Sequence, residues 1–459
     1  MYCVIMGDII NSKEMDDETI KAVTTAAKNI FDIINTDYYK YIVAPFGIVR
    51  GDAFEGVLLS PVLAPDIVQK VIKAFYKVKE TKVRISVSVD NLSIVSSDRN
   101  ESNGPAFHKA VEVIKNLKKI KSNHWFQVSF FSNSTFQPII ERRFLLLSGI
   151  TQKWTDEQRQ IVWAMQDYFG SDYFGAVFFA SEKTEFAVSV IKKQLTAANY
   201  EEYKSIWDDI KRHFAEAEDE TISGRTAEKS YTVYFSAAMR KTDRRLFEEA
   251  IPLYKRALKL AKNDFGESST RLAVIYVGLA WVLQEKGDLS KAKYYINNAF
   301  KLQEHMPKSG IEYADTLGVS AAIDRKDRKY ESSKKNYLKA IEIAENTAGI
   351  NHPILSSFYS NIAGVYRYKG DYEKALSYHF KSLEVFRPDM ETIVEKAVKY
   401  KNISFCYYCM KDYTNAIEYC EKARDIFYEV LLPNHEYLID TNKLLEDYIE
   451  VMEEQENEN

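Results

Sequence analysis

The chain has 459 residues, 46% of them hydrophobic and 28% charged, with a formal net charge of −4. That length suits roughly three domains of about 150 residues each, and no run approaches the roughly 20 apolar residues of a membrane span. The weak negative charge gives no general attraction to nucleic acid or to an anionic membrane, and four cysteines, Cys3, Cys406, Cys409 and Cys420, make no disulfide framework in a chain of this size.

The opening stretch Met1 to Met6 is too short and too soon interrupted, at Gly7-Asp8, to be a signal peptide, so a cytoplasmic location is expected. Apolar alternation then predicts a strand over 3–6, a helix near 17–35, two strands across Tyr41 to Leu59, a helix near 64–79, a strand over 82–90 and a helix over 105–118. This βαββαβ order predicts an α+β domain over 1–148 with helices on one face of a ferredoxin-like sheet. Asp8 follows the first strand and Asp52 stands at the turn of the next hairpin. The first and third strands of such a sheet are central neighbours, so the two carboxylates are expected within reach of one divalent cation. Paired carboxylates suit Mg²⁺ or Mn²⁺, which keeps waters and recruits substrate phosphates. Gly-Asp is also a common turn dipeptide, and both aspartates can serve turns alone.

The Asp-Ile after the first strand and the Gly-Asp in the following hairpin resemble the palm domain of class III nucleotide cyclases and their diguanylate cyclase and CRISPR polymerase relatives. Three ordered motifs, Gly7-Asp8-Ile9-Ile10-Asn11-Ser12, Gly51-Asp52-Ala53-Phe54-Glu55-Gly56 and Gly104-Pro105-Ala106-Phe107-His108-Lys109-Ala110, are similar to the bacterial SatD family over roughly the first 210 residues. The resemblance implies a nucleotide site with Asp8 and Asp52 on the metal and with Ser12, Arg50, Gly51 and His108 near the nucleotide. It departs from active cyclases where His108, Glu112 and Ile48 replace the asparagine, arginine and lysine that handle phosphate charge and the purine. Phosphoryl transfer depends on that cationic clamp, so no reaction is assigned. Arg50, Lys13 and Arg99 are the candidates for substitute charge.

Helices are predicted over 156–168, 173–181, 184–197 and 200–213, with Thr155 and Gln158 at capping-box spacing. The segment resembles the sigma-like helix-turn-helix that accompanies the SatD domain, placing a connector over 149–222. Residues 150–213 hold eight Lys and Arg against ten Asp and Glu, a net of 8 − 10 = −2. Phe186, Val188 and Val190 stand where base-contacting side chains belong, so DNA is not the expected partner. The acidic run Ala215 to Glu220, before Ser223-Gly224, reads as a linker.

From about 223 to the C-terminus a period of 41 to 42 residues recurs five times. Small residues fall at Ala238, Ala280, Ala321, Ala363 and Ser404, then at Ala250, Ala292, Ser333, Ala375 and Ala416, and again at Ala257, Ala299, Ala340, Ser382 and Ala423. These match the close-approach positions of tetratricopeptide repeats, and the long period resembles that of kinesin light chain. An α-solenoid with a concave groove is expected, closed by a helix over 434–453. Trp281, Arg325, Arg367, Tyr368, Lys401 and Tyr408 are expected along the groove as a stripe suited to a peptide or acidic protein partner. Cys406 and Cys409, one helical turn apart with Cys420 and His435 nearby, read as core filler in preference to a zinc site. The whole reads as a signalling or regulatory protein. A DNA-binding regulator with an inert palm and a plain repeat adaptor are the alternatives, and self-association stays open.

Overall fold

The computed structural model describes residues 2–90, 92, 103–120, 124, 126–166, 173–222, 231–243, 245–304, 308–386, 393–430 and 436–458. They divide into two compact units, the first of 1–168 and 176–240 and the second of 169–175 and 241–459.

In the first unit, β1 (Tyr2–Ile9), α1 (Asp17–Asp37), β2 (Ile42–Arg50), β3 (Ala53–Leu58), α2 (Ala64–Tyr76), β4 (Val83–Asp90), α3 (Pro105–Lys119) and β5 (Phe126–Phe131) build one sheet in the order β2-β3-β1-β4-β5. β4 and β5 pair in parallel and the other pairs are antiparallel. The first four strands have the expected ferredoxin-like order. Asp16 caps α1 by accepting the Thr19 N–H at 2.7 Å. Strand alternation then sorts the two faces. Phe54 sits between Phe31 of α1 and Phe75 of α2, at 5.2 and 5.7 Å between ring centroids. On the opposite face Tyr2, Val4 and Val57 pack with Ala106, Phe107 and Ala110 of α3. Helices therefore cover both faces, which corrects the one-face expectation: α1 and α2 take one, and α3, crossing between the parallel strands β4 and β5, takes the other.

Helices α4 (Gln137–Thr151), α5 (Asp156–Gln166), α6 (Tyr173–Thr184), α7 (Val188–Ala197) and α8 (Tyr200–Ile222) follow, then α9 (Tyr231–Asp243). The Thr155–Gln158 capping box forms, with reciprocal bonds of 3.0 and 3.3 Å. Aromatic contacts tie α8 to the sheet side: Phe130 to Phe214 at 4.6 Å and Phe144 to Trp207 at 5.9 Å. The connector thus shares one compact unit with the sheet, and that unit runs on through α9 to Arg240. The expected linker over 215–220 is a correction as well. It begins inside α8, where Ala217 and Glu218 are buried.

The second unit holds α10 (Phe247–Phe265), α11 (Leu272–Glu285), α12 (Leu289–Leu302), α13 (Ile311–Lys326), α14 (Tyr330–Ala348), α15 (Ile354–Tyr368), α16 (Tyr372–Glu384), α17 (Ile393–Cys409), α18 (Tyr413–Val430) and α19 (Glu436–Glu458). The second helices of the hairpins, α10, α12, α14, α16 and α18, begin at 247, 289, 330, 372 and 413, in step with the sequence period. All fifteen small residues of the three aligned positions are 0% exposed, so each sits where two helix backbones approach. The turn before each second helix needs a left-handed residue. Gly287 and Gly370 supply it at φ 85° and 78°, while Arg245, Arg328 and Lys411 adopt the same conformation without glycine's freedom. No helix among the described residues is long and apolar enough to cross a membrane.

Candidate functional sites

The register places Asp8 of β1 opposite Ala53 of β3 and Arg84 of β4. Asp8 is 5% exposed. The Lys118 ammonium, from the last turn of α3, lies 2.5 Å from one carboxylate oxygen, and the Arg84 guanidinium lies 3.6 Å from the other. Arg84 is itself held by Gln127 of β5 at 3.2 Å. Asp8 is thus an enclosed anion between two cations. Beneath the same helix the buried hydroxyls of Ser86 and Ser88 on β4 have no hydrogen-bond partner.

Asp52 stands in the turn between β2 and β3, where Gly51 has φ 64°. The Ser12 hydroxyl donates to the Asp52 carboxylate, so Ser12, Gly51 and Asp52 come together at the end of β1 that carries Asp8. His108 does not join them. It is exposed in the first turn of α3, whose start packs near Tyr2 and Val4, while Lys118 reaches Asp8 from the other end. Ten residues of α-helix span about 15 Å, which separates His108 from the aspartates. The side chains of Arg50 and Arg99 lie outside the described residues. Gly7 and Gly56 of the first two motifs have packing roles. A Cβ on Gly7 would fall 2.2 Å from the Phe54 ring, and one on Gly56 would fall 2.4 Å from the Phe46 ring.

In the array the six expected groove residues fare differently. Trp281 is packed edge-on by Phe247 at 5.7 Å. Tyr408 stacks on Tyr448 of α19 at 4.5 Å, and the Lys401 ammonium sits 5.5 Å from the Tyr437 ring. These three have ring partners within the array, two of them from the terminal helix. Arg325, Arg367 and Tyr368 remain. Tyr368 is 55% exposed and stacks on Tyr330 at 5.6 Å. Arg367 lies over Phe405 at 5.1 Å and Tyr368 at 5.4 Å. No ion pair ties Arg325 or Arg367 to a carboxylate among the described residues. Alignment by the period also exposes a residue that the sequence reading passed over. His379 occupies the place held by Tyr254, Ile296, Tyr337 and Cys420 in the other hairpins, and a polar residue in that buried column was the available signal. Burial, with Arg367 and Lys399 nearby, pushes its pKa down to about 3. Cys406 and Cys420 are fully buried, and burial pushes both thiols up to about 11. No group of three or more ligands able to hold a metal occurs among the described residues, and His435 lies outside them.

Comparison with known proteins fixes the two halves. The model described as the SatD family matches residues 2–205, and the model described as tetratricopeptide repeat matches 234–305 and 312–387. Residues 2–205 are a SatD domain. Tetratricopeptide repeats follow it. Among curated proteins the chain is similar to a clustered mitochondria protein homolog of Lodderomyces elongisporus, 30% identical over 26% of this chain and 9% of that one. It is also similar to a Tonsoku-like protein of Drosophila melanogaster, 23% identical over 42% of this chain and 16% of that one. It therefore spans less than a fifth of the length of these curated relatives. Solved structures with a likeness include BtubC from P. vanneervenii, at 19% identity and TM-score 0.33 over 43% of this chain and 91% of that one. Another is a Rap protein complexed with competence and sporulation factor, at 14% identity and TM-score 0.43 over 69% and 86% of the two chains. The SatD domain ends inside α8, so the match stops before Phe214 and Glu218 complete the compact unit.

Proposed function

We propose that this chain is a cytoplasmic regulatory protein whose repeat array captures a protein or peptide partner at a patch centred on Arg325, Arg367 and Tyr368. The observation that carries this reading is the pair of arginines at corresponding places in successive hairpins, neither ion-paired to a described carboxylate, beside an exposed tyrosine. Arginine and tyrosine are frequent energetic centres of interfaces. The test is recovery of a partner from the native host by wild-type protein and by Arg367→Glu. Loss of a specific partner with an unchanged unfolding curve is expected. Equal recovery by both places the binding surface elsewhere.

A second reading keeps a Mg²⁺- or Mn²⁺-bound nucleoside triphosphate at Asp52, Ser12 and Gly51, supported by their convergence at the Asp8 end of β1. Asp8 would join the metal only by giving up Lys118 and Arg84. Calorimetric titration with each nucleoside triphosphate, with and without the metal, decides it. Metal-dependent heat that Asp52→Asn abolishes is the supporting result, and its absence for every nucleotide removes the site.

A further inference from the structure

The buried polar groups behind the two arginines repeat from one hairpin to the next. Tyr337 on α14 is 0% exposed, and its hydroxyl lies within reach of one polar group, the Arg325 guanidinium. The Nε of that guanidinium is itself buried and unpartnered. One period later, on α16, His379 is 1% exposed with both ring nitrogens unpartnered, close to Arg367. Unmade hydrogen bonds of buried polar groups are costly, and groups in a native fold seldom go without partners.

The neighbouring charges sharpen the sign. Glu285 is held by Lys326 at 3.4 Å, and Asp324 accepts from Ser332 at 2.6 Å, so these nearby carboxylates have partners of their own. Lys399, 5% exposed and 5.4 Å from the Phe386 ring, adds a second cation beside His379. Space is provided as well. Arg325 reaches toward the next hairpin, with Nη1 4.0 Å from where a Cβ on Gly364 would stand, whereas Phe405 fills the corresponding place under Arg367. The glycine leaves open space beside the Arg325 guanidinium.

We propose that Arg325 and Arg367, with the Tyr337 hydroxyl and the His379 imidazole behind them, form a site for the carboxylates of an acidic peptide segment. The proposal rests on the partner-binding reading of the array and names the partner's chemistry. Guanidinium forks bind carboxylates through paired, charge-assisted hydrogen bonds. Packed helices lie about 8–10 Å apart, and alternate side chains of an extended peptide recur about every 7 Å. Acidic residues two or three positions apart would therefore meet successive arginines. An anion there offsets the cations around His379, so its pKa rises when the peptide binds.

The test uses the full chain and a fluorescein-labelled hexaglutamate peptide, with hexaglutamine and hexalysine as controls, read by fluorescence anisotropy. Hexaglutamate should bind and the controls should not. Arg325→Gln with Arg367→Gln should weaken binding at least about a hundredfold, roughly tenfold for each charge-assisted contact. Lys255→Gln with Lys259→Gln, on the exposed side of α10, should change it by no more than about twofold. Circular dichroism and unfolding midpoints keep loss of binding distinct from loss of fold, and the His379 ring resonances should titrate at higher pH in the complex. Unchanged affinity in the double arginine variant, or no hexaglutamate binding, overturns the proposal. If Arg367→Glu loses its cellular partner while hexaglutamate never binds, the adaptor reading stands and the acidic partner falls. If hexaglutamate binds through the arginines but partner recovery is unchanged, the site stands and the adaptor reading falls.

Discussion

The two units treat enclosed and half-buried charge in opposite ways. In the sheet unit Asp8 lies between Lys118 and Arg84, and Glu218 of α8 receives the Ser60 hydroxyl at 2.6 Å, the Ser236 hydroxyl at 3.1 Å and the Arg240 guanidinium. In the array the half-buried Arg367 lies over rings and the half-buried Arg325 beside the open space at Gly364, with no ion pair to a described carboxylate. Charge enclosed by its counter-charge supports the fold, and charge without one is available to a ligand. Asp8, an acidic motif residue that looks like a site in the sequence, is therefore enclosed by two cations, whereas the two arginines of the repeats have no described counter-ion.

The contrast breaks first, if at all, at Glu218. Replacing it by alanine leaves Arg240 and two hydroxyls without their acceptor, and loss of one partner of a buried ion pair costs about 3–5 kcal/mol, measurable by urea unfolding. A loss below about 1 kcal/mol would show that water already serves these groups. Asp8→Asn should cost about 1–3 kcal/mol, because the Lys118 ammonium and the Arg84 guanidinium lose the negative charge between them. An unchanged unfolding curve would release Asp8 for a metal. The pH dependence probes the array. The folded-state pKa of His379 lies at about 3, below the 6.5 of the unfolded chain, so the unfolded state binds the extra proton as pH falls. His379 therefore makes stability decline between pH 6.5 and 3, by about 1.4 kcal/mol per pH unit at most. His379→Phe should remove that part of the acid slope and leave neutral pH little changed. Identical slopes would mean the ring is already hydrated. Smallest of all, Arg367→Gln should move stability by no more than about 0.5 kcal/mol, and a larger loss in thermal unfolding would reveal a counter-ion that makes it structural.

Much of the fold was legible because it rests on local spacing. The small residues at 41 to 42 residue intervals locate the hairpins, since a larger side chain there would hold two helices apart. Thr155 and Gln158 mark a helix start through bonds only three residues long. β5 and α4 were missed, with aromatic and polar residues mixed through Phe126 to Phe131. The aspartates were legible as a pair of strand ends, but their partners were not. Lys118 reaches Asp8 from 110 residues away, and nothing in a helix-terminal lysine announces it. Glu218 looked like linker charge because its acidic neighbours conceal a buried member.

The Glu218 cluster also bears on synthesis. Arg240 Nη1 donates to the Ser60 hydroxyl at 3.1 Å across 180 residues of sequence. At roughly 5–20 residues per second, a ribosome needs about 9–36 s to make that interval. Until Glu218 and then Arg240 are made, the corner after β3 lacks its partners, so the nascent sheet is exposed to chaperones and proteases longer than its own length would require. Slowing translation after residue 60 should therefore lower the yield of folded chain more than slowing it after residue 240.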